Sequence, residues 1–213
     1  MSRPDRRAMR GVGVVLGRVP FTLGFLAVML VANALAGTFS GKIDPHALAA
    51  WGIGVDAIGS GNLLRFLTAL FLSHDLPMLL RQLAFAAGVI GLAEWRWGRW
   101  RTAGLFFGLD FVTSVILIAA VALIPGLGGW AATTDVGMSM GGFGLIGVLM
   151  SSRRRALVEL VAVLALIAVK YALAPDPLAD GGHVVALVIG FCLGRIGPRP
   201  EVPAETTART GGR

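Results

Sequence analysis

Apolar residues gather into six runs along this chain, each bounded by charged, glycine-rich or proline-containing connections. The first run, about residues 19 to 37, is long enough to cross a bilayer. No small-residue cleavage site followed by a soluble domain comes after it, so a spanning helix is expected in place of a removed signal peptide. Residues 38 to 62 are glycine-rich and of mixed polarity, with Pro45, His46, Trp51 and Asp56, a pattern suited to the membrane interface. The second run, about Leu63 to Glu94, includes His74, Asp75, Pro77, Arg81 and Gln82, and leads into Trp95-Arg-Trp-Gly-Arg-Trp-Arg101. The third covers about 102 to 124 and stops at Pro125-Gly126. The fourth, about 138 to 151, is short and ends at Ser151-Ser-Arg-Arg-Arg155. The fifth covers about 156 to 173, Pro175-Asp-Pro-Leu-Ala-Asp180 reads as an acidic loop, and the sixth runs from about Gly182 to Ile196. These runs predict an all-α polytopic membrane protein with six transmembrane helices and a short, glycine-rich fourth helix. The expected organisation is a tail over 1–18, a membrane domain over 19–197 and a disordered tail over 198–213.

Composition agrees with this pattern. The 213 residues are 55% hydrophobic and 15% charged, where a soluble domain carries about 25% charged residues. Mean hydropathy is +0.76. The single cysteine, Cys192, lies inside an apolar run and excludes a disulfide framework or thiolate metal site, and nothing in the chain calls for a cofactor. A net charge of +7 raises the question of nucleic acid. However, fifteen of the nineteen basic residues, all but Lys42, Arg65, Arg81 and Lys170, fall in the N-terminal tail, in the connections after the second and fourth runs, and from Arg195 at the end of the sixth run onward. The connections between them hold Asp44, Asp56, Asp135, Asp176 and Asp180. That alternation is the positive-inside pattern, so the expected partner is the lipid bilayer and not nucleic acid. It predicts both termini on the cytoplasmic side.

The candidate chemistry sits at the start of the fourth run. Thr134-Asp-Val-Gly-Met-Ser-Met-Gly-Gly-Phe-Gly-Leu-Ile-Gly147 sets Ser139 among five glycines. A serine hydroxyl needs a base within hydrogen-bond reach to become a nucleophile. The topology puts His183, at the start of the sixth run, at the same depth. Gly182, Ala186, Gly190 and Gly194 form a small-residue stripe at four-residue spacing on the sixth run, and Gly137 and Gly141 are expected to start one on the fourth. The residues alone leave two readings: a glycine-lined helix contact bonded by Ser139, or a Ser139–His183 catalytic pair. Gly137-x-Ser139-x-Gly141 also matches the nucleophile elbow of α/β-hydrolases, but that motif follows a strand, and here a membrane helix follows. Arg81 and Asp110 fall near mid-depth on successive antiparallel runs and are expected to pair; Glu159 and Lys170 are expected to snorkel.

These residues resemble the rhomboid family of intramembrane serine proteases. The similarity covers most of the chain from the second run onward. Gly137-Met-Ser139-Met-Gly-Gly-Phe143-Gly-Leu-Ile-Gly147 is similar to the family's Gly-x-Ser-Gly nucleophile motif, and Gly182-His183-Val-Val-Ala-Leu-Val-Ile-Gly190 to its histidine and small-residue stripe. Arg65 to Gln82 followed by Glu94 has the layout of the family's second span. The resemblance implies a six-helix rhomboid-like bundle in a bacterial-type plasma membrane. It implies a Ser139–His183 dyad without an acid third member, although Asp180 is near in sequence, and Phe143 packed on the histidine. The implied substrates are single-span membrane proteins whose helix unwinds near small residues. The family's second-span His-x-x-x-Asn, whose side chains help hold the oxyanion, corresponds here to Met78 and Gln82; of these only Gln82 can donate a hydrogen bond. Met140 stands where glycine is usual and is expected to crowd the substrate, and the family's Trp-Arg pair in the first outer loop is absent. The alternative implied by these departures is a catalytically inactive relative that binds transmembrane helices. A small-solute transporter is disfavoured by the lack of an inverted repeat.

Overall fold

The computed structural model describes residues 17–55, 60–130 and 134–197; the two predicted tails, Asp56 and the middle of the 125–136 connection lie outside these, apart from Gly17 and Arg18. Among the described residues the chain is helical. The α-helices are α1 (Pro20–Leu35), α2 (Pro45–Trp51), α3 (Arg65–Thr68), α4 (Leu76–Trp97), α5 (Arg99–Leu123), α6 (Ser139–Ser151), α7 (Ala156–Leu173) and α8 (Pro177–Ile196). Short 3₁₀ turns cover Thr38–Ser40, Ala69–Phe71 and Pro125–Trp130. Four helices, α4, α5, α7 and α8, are long and apolar enough to cross a membrane, and α1 and α6 are shorter apolar helices.

The ends follow local chemistry. Proline opens α1, α2, α4 and α8, where its missing N–H costs nothing. Asp44, Asp75 and Asp176 cap α2, α4 and α8 by accepting first-turn N–H groups. Two expected boundaries move for this reason. The second run is not one helix: the chain is extended at Leu72, and α4 starts afresh after the Asp75 cap. The sixth helix begins at Pro177, so residues 177 to 180, read as loop, form its first turn and place His183 in its second.

The outward surface is apolar. Leu157, Val158, Val161, Leu166, Val169 and Leu173 of α7 are all more than half exposed. A helix apolar all round is a core helix or a membrane span, and α7 is peripheral, so with α4, α5 and α8 it points to an integral membrane protein. Arg18, Arg99 and Arg101 lie over the rings of Trp95, Trp100 and Trp97, a cation–aromatic belt suited to an interface.

Inside, α6 packs most extensively on α8 and next on α5. A Cβ on Gly190 would strike the backbone of Gly144, one on Gly194 would strike Ser151, and one on Gly147 would strike the backbone of Leu187 and Phe191. The glycines are therefore what allow α6 and α8 to touch backbone to backbone. The stripe on α6 differs from the expected one. Gly137 precedes the helix, with φ of 130°, and Gly141 faces Phe106 of α5. Glycines three residues apart rotate about 60° per step around a helix, so the face turns from α5 at Gly141 to α8 at Gly147.

Buried polar groups tie the other elements. Glu94, 1% exposed, accepts the N–H groups of Phe21 (2.8 Å) and Thr22 (2.7 Å) and the Thr22 hydroxyl (2.8 Å). Its charge faces the positive end of the α1 dipole. Buried Arg65 donates to the carbonyls of Ala49 and Gly52, fixing the end of α2.

Candidate active site

Ser139 is the first residue of α6, and no side chain caps that end. The first turn of a helix leaves N–H groups without intrahelical acceptors. Gly141 N–H is taken by Asp110 Oδ1 at 2.9 Å and Gly142 N–H by Met138 O at 3.1 Å. The N–H groups of Ser139 and Met140 have no acceptor within the helix, and they lie at its positive pole.

His183 approaches from α8. Its Nε2 is 2.9 Å from Ser139 Oγ, a hydrogen-bond distance. Phe143, one turn along α6, stacks on the imidazole with ring centroids 4.3 Å apart and planes at 23°, and Phe85 of α4 continues the stack at 5.6 Å. On its other side, His183 Nδ1 lies 3.9 Å from Asp180 Oδ1. The shared depth expected for Ser139 and His183 is thus realised as direct contact.

Both side chains line an open cleft of about 460 Å³ that also takes in His74, Met78, Arg81, Gln82, Asp135 and Lys170. Gln82 Nε2 sits so close to the Gly137 Cα that a Cβ there would overlap it. Its other end is held: Ser73 Oγ donates to Gln82 Oε1 at 2.7 Å, and Asn33 Oδ1 accepts the Ser73 N–H at 2.9 Å. Asn33 in turn donates to the carbonyls of Phe71 and Met29. This chain of bonds turns the amide donor of Gln82 toward the segment that carries Ser139. Met78 also faces the cleft, and its sulfur accepts the His74 N–H at 3.4 Å.

Three expected placements change. Met140 does not crowd the cleft. Its side chain packs where a Cβ on Gly182 would touch it and receives the Ser114 hydroxyl at 3.6 Å, filling the gap between α5 and α8. Consecutive helix residues point about 100° apart, which separates it from Ser139. Arg81 and Asp110 do not pair: Asp110 is buried and caps the first turn of α6, while Arg81 is exposed on the cleft. Lys170 and Glu159 are ion-paired and do not snorkel free, to Asp180 at 2.9 Å and Arg153 at 3.0 Å.

His74 lies at the rim, outside α4, with Nε2 3.5 Å from Asp135 Oδ1. The hydrogen bond to Asp135 raises its pKa above the ordinary histidine value, against partial burial. Asp135 also exchanges backbone bonds with Ile53, so the strand-like segment before Ser139 is held on both sides. Asn33, Ser73, Asp110 and Lys170 are site-supporting residues whose partners sequence reasoning did not find. Asp110 and Lys170 carried a signal as charges inside apolar runs, and Asn33 as a carboxamide inside one; Ser73 carried none. Among the described residues no three His, Cys, Asp or Glu side chains gather as a metal site would require. Comparison with known proteins finds no family model and no curated protein that matches the chain.

Proposed function

We propose that this protein is a rhomboid-type intramembrane serine endopeptidase with six spans, α1 and α4 to α8, acting through Ser139 and His183. The observation that carries the reading is the 2.9 Å contact between Ser139 Oγ and His183 Nε2 in a cleft open to the outside of the bundle. Ser139 Oγ attacks the carbonyl carbon of a peptide bond and passes its proton to His183 Nε2. The carbonyl π pair moves to oxygen, where the Ser139 and Met140 N–H groups and Gln82 Nε2 are the available donors. Collapse of the tetrahedral intermediate breaks the C–N bond, and His183 gives its proton to the leaving amine. Water then attacks the acyl ester, its proton goes to His183, and the C–O bond to Ser139 breaks as the serine takes that proton back. The substrates are single-span membrane proteins, whose chains reach the cleft within the bilayer. Both termini lie in the cytoplasm of a bacterial-type plasma membrane.

A second reading is an inactive relative that binds transmembrane helices without cutting them. Met78 favours it, since it lines the cleft where a donor is expected and cannot donate. A fluorophosphonate probe on the purified protein separates the two. Labelling of the wild type that is lost in both Ser139→Ala and His183→Ala is the expected result; a folded wild type that is never labelled would overturn the protease reading.

A further inference from the structure

The pair described above leaves one nitrogen of His183 without a role. With Nε2 accepting the Ser139 proton, the neutral ring must carry its own proton on Nδ1, and a buried N–H needs an acceptor. The nearest candidate is Asp180, three residues earlier on α8 and so on the same helix face. Its side chain is 5% exposed. Its two oxygens are in unlike settings. Oδ2 accepts from Lys170 Nζ at 2.9 Å and from the Asp176 N–H at 3.1 Å. Oδ1 is fully buried, has no hydrogen-bond partner, and lies 3.9 Å from His183 Nδ1.

We propose that Asp180 is a third member of the site, a positioning residue that accepts the His183 Nδ1–H and so holds the ring with Nε2 toward Ser139. Lys170 and the α8 cap anchor one oxygen and leave the other aimed at the imidazole with its lone pairs unused. At 3.9 Å the contact is longer than a hydrogen bond, and about 1 Å of closure completes it. Catalytic hydrogen bonds commonly tighten in this way when a substrate fills the site. The inference rests on the dyad reading, which does not itself require the acid.

The competing role for Asp180 is structural, as the partner through which Lys170 ties α7 to α8. The two roles differ in what Lys170 should do. If Asp180 only bridges helices, removing either partner has the same effect. If it positions His183, Asp180→Asn disturbs the ring, while Lys170→Met leaves the carboxylate in place, still held by the Asp176 N–H at 3.1 Å, and disturbs the ring less. The test is ¹⁵N NMR of the full chain with labelled histidine, the His183 signal being assigned by its loss in His183→Gln, at a pH where the ring is neutral. The wild type is expected to show His183 protonated on Nδ1. Asp180→Asn is expected to lose the dominance of that tautomer and to slow probe labelling at least about tenfold, while Lys170→Met retains the tautomer. A wild-type ring protonated on Nε2, or equal changes in the two variants, would overturn the proposal. The tautomer is read without turnover, so a correct tautomer pattern in a wild type that resists the probe would refute the protease and not the role of Asp180.

Discussion

Ser73 donates to Gln82 Oε1, and that bond decides which end of the carboxamide faces Gly137 and Ser139. The carbonyl is spoken for, so the N–H₂ is the end that looks toward Gly137, where the proposed reaction would develop an oxyanion. In serine hydrolases the loss of one oxyanion donor costs about 10²–10³ in rate. Gln82→Leu, which keeps the bulk but removes both the donor and the acceptor of the buried Ser73 hydroxyl, should slow probe labelling by about that factor and lower the melting temperature through the orphaned hydroxyl. A rate equal to the wild type would leave the oxyanion to the backbone of Ser139 and Met140 alone.

The contact between α6 and α8 brings Ser139 and His183 together, and it depends on backbone approaching backbone at Gly144 and Gly190. Any side chain at Gly190 must push the helices apart, and overpacking of this kind costs about 1–3 kcal/mol. Gly108 on α5 is the natural control, since a Cβ there meets nothing within 4 Å and alanine is the better helix former by about 1 kcal/mol. Gly190→Ala should therefore lower the melting temperature in detergent and weaken labelling, while Gly108→Ala leaves the first unchanged or raised and the second intact. Equal behaviour of the two variants would show that α6 and α8 do not need the close approach. Gly190 belonged to a stripe visible in the sequence; its partner Gly144 did not, because three-residue spacing drifts around a helix and the facing residue depends on where the neighbours lie.

At the scale of the molecule, the six apolar helices and the alternating charge make one prediction about the whole chain. Single cysteines introduced near residue 10, at Arg99 and at Arg154, in a Cys192→Ala background, should all be shielded from a membrane-impermeant thiol reagent added outside intact cells. One at Asp176 should react. Labelling of the 99 and 154 sites from outside would overturn the proposed orientation, and labelling of one without the other would overturn the six-span arrangement. The cleft bearing Ser139 shares its side with Asp176, so the same experiment reports the side from which water reaches the site.

The helical character, the apolar surface and the approximate limits of α1, α5, α6 and α7 were legible in the residues, because run length and charge placement are local quantities that the bilayer imposes directly. So was the pairing of Ser139 with His183 in depth, which follows from counting along two helices. Gln82 and Phe143 were placed at the site through the resemblance, but the partners that hold the site's side chains were not legible. Asp110 meeting Gly141 instead of Arg81, Met140 turning away from the cleft, and Ser73 holding Gln82 all depend on the rotation of each helix about its own axis. That rotation is set by packing among several neighbours at once, by glycines where backbones touch and by Phe106 and Phe143 where they do not. One residue of difference in phase swings a side chain through about 100°, and only the assembled bundle determines it.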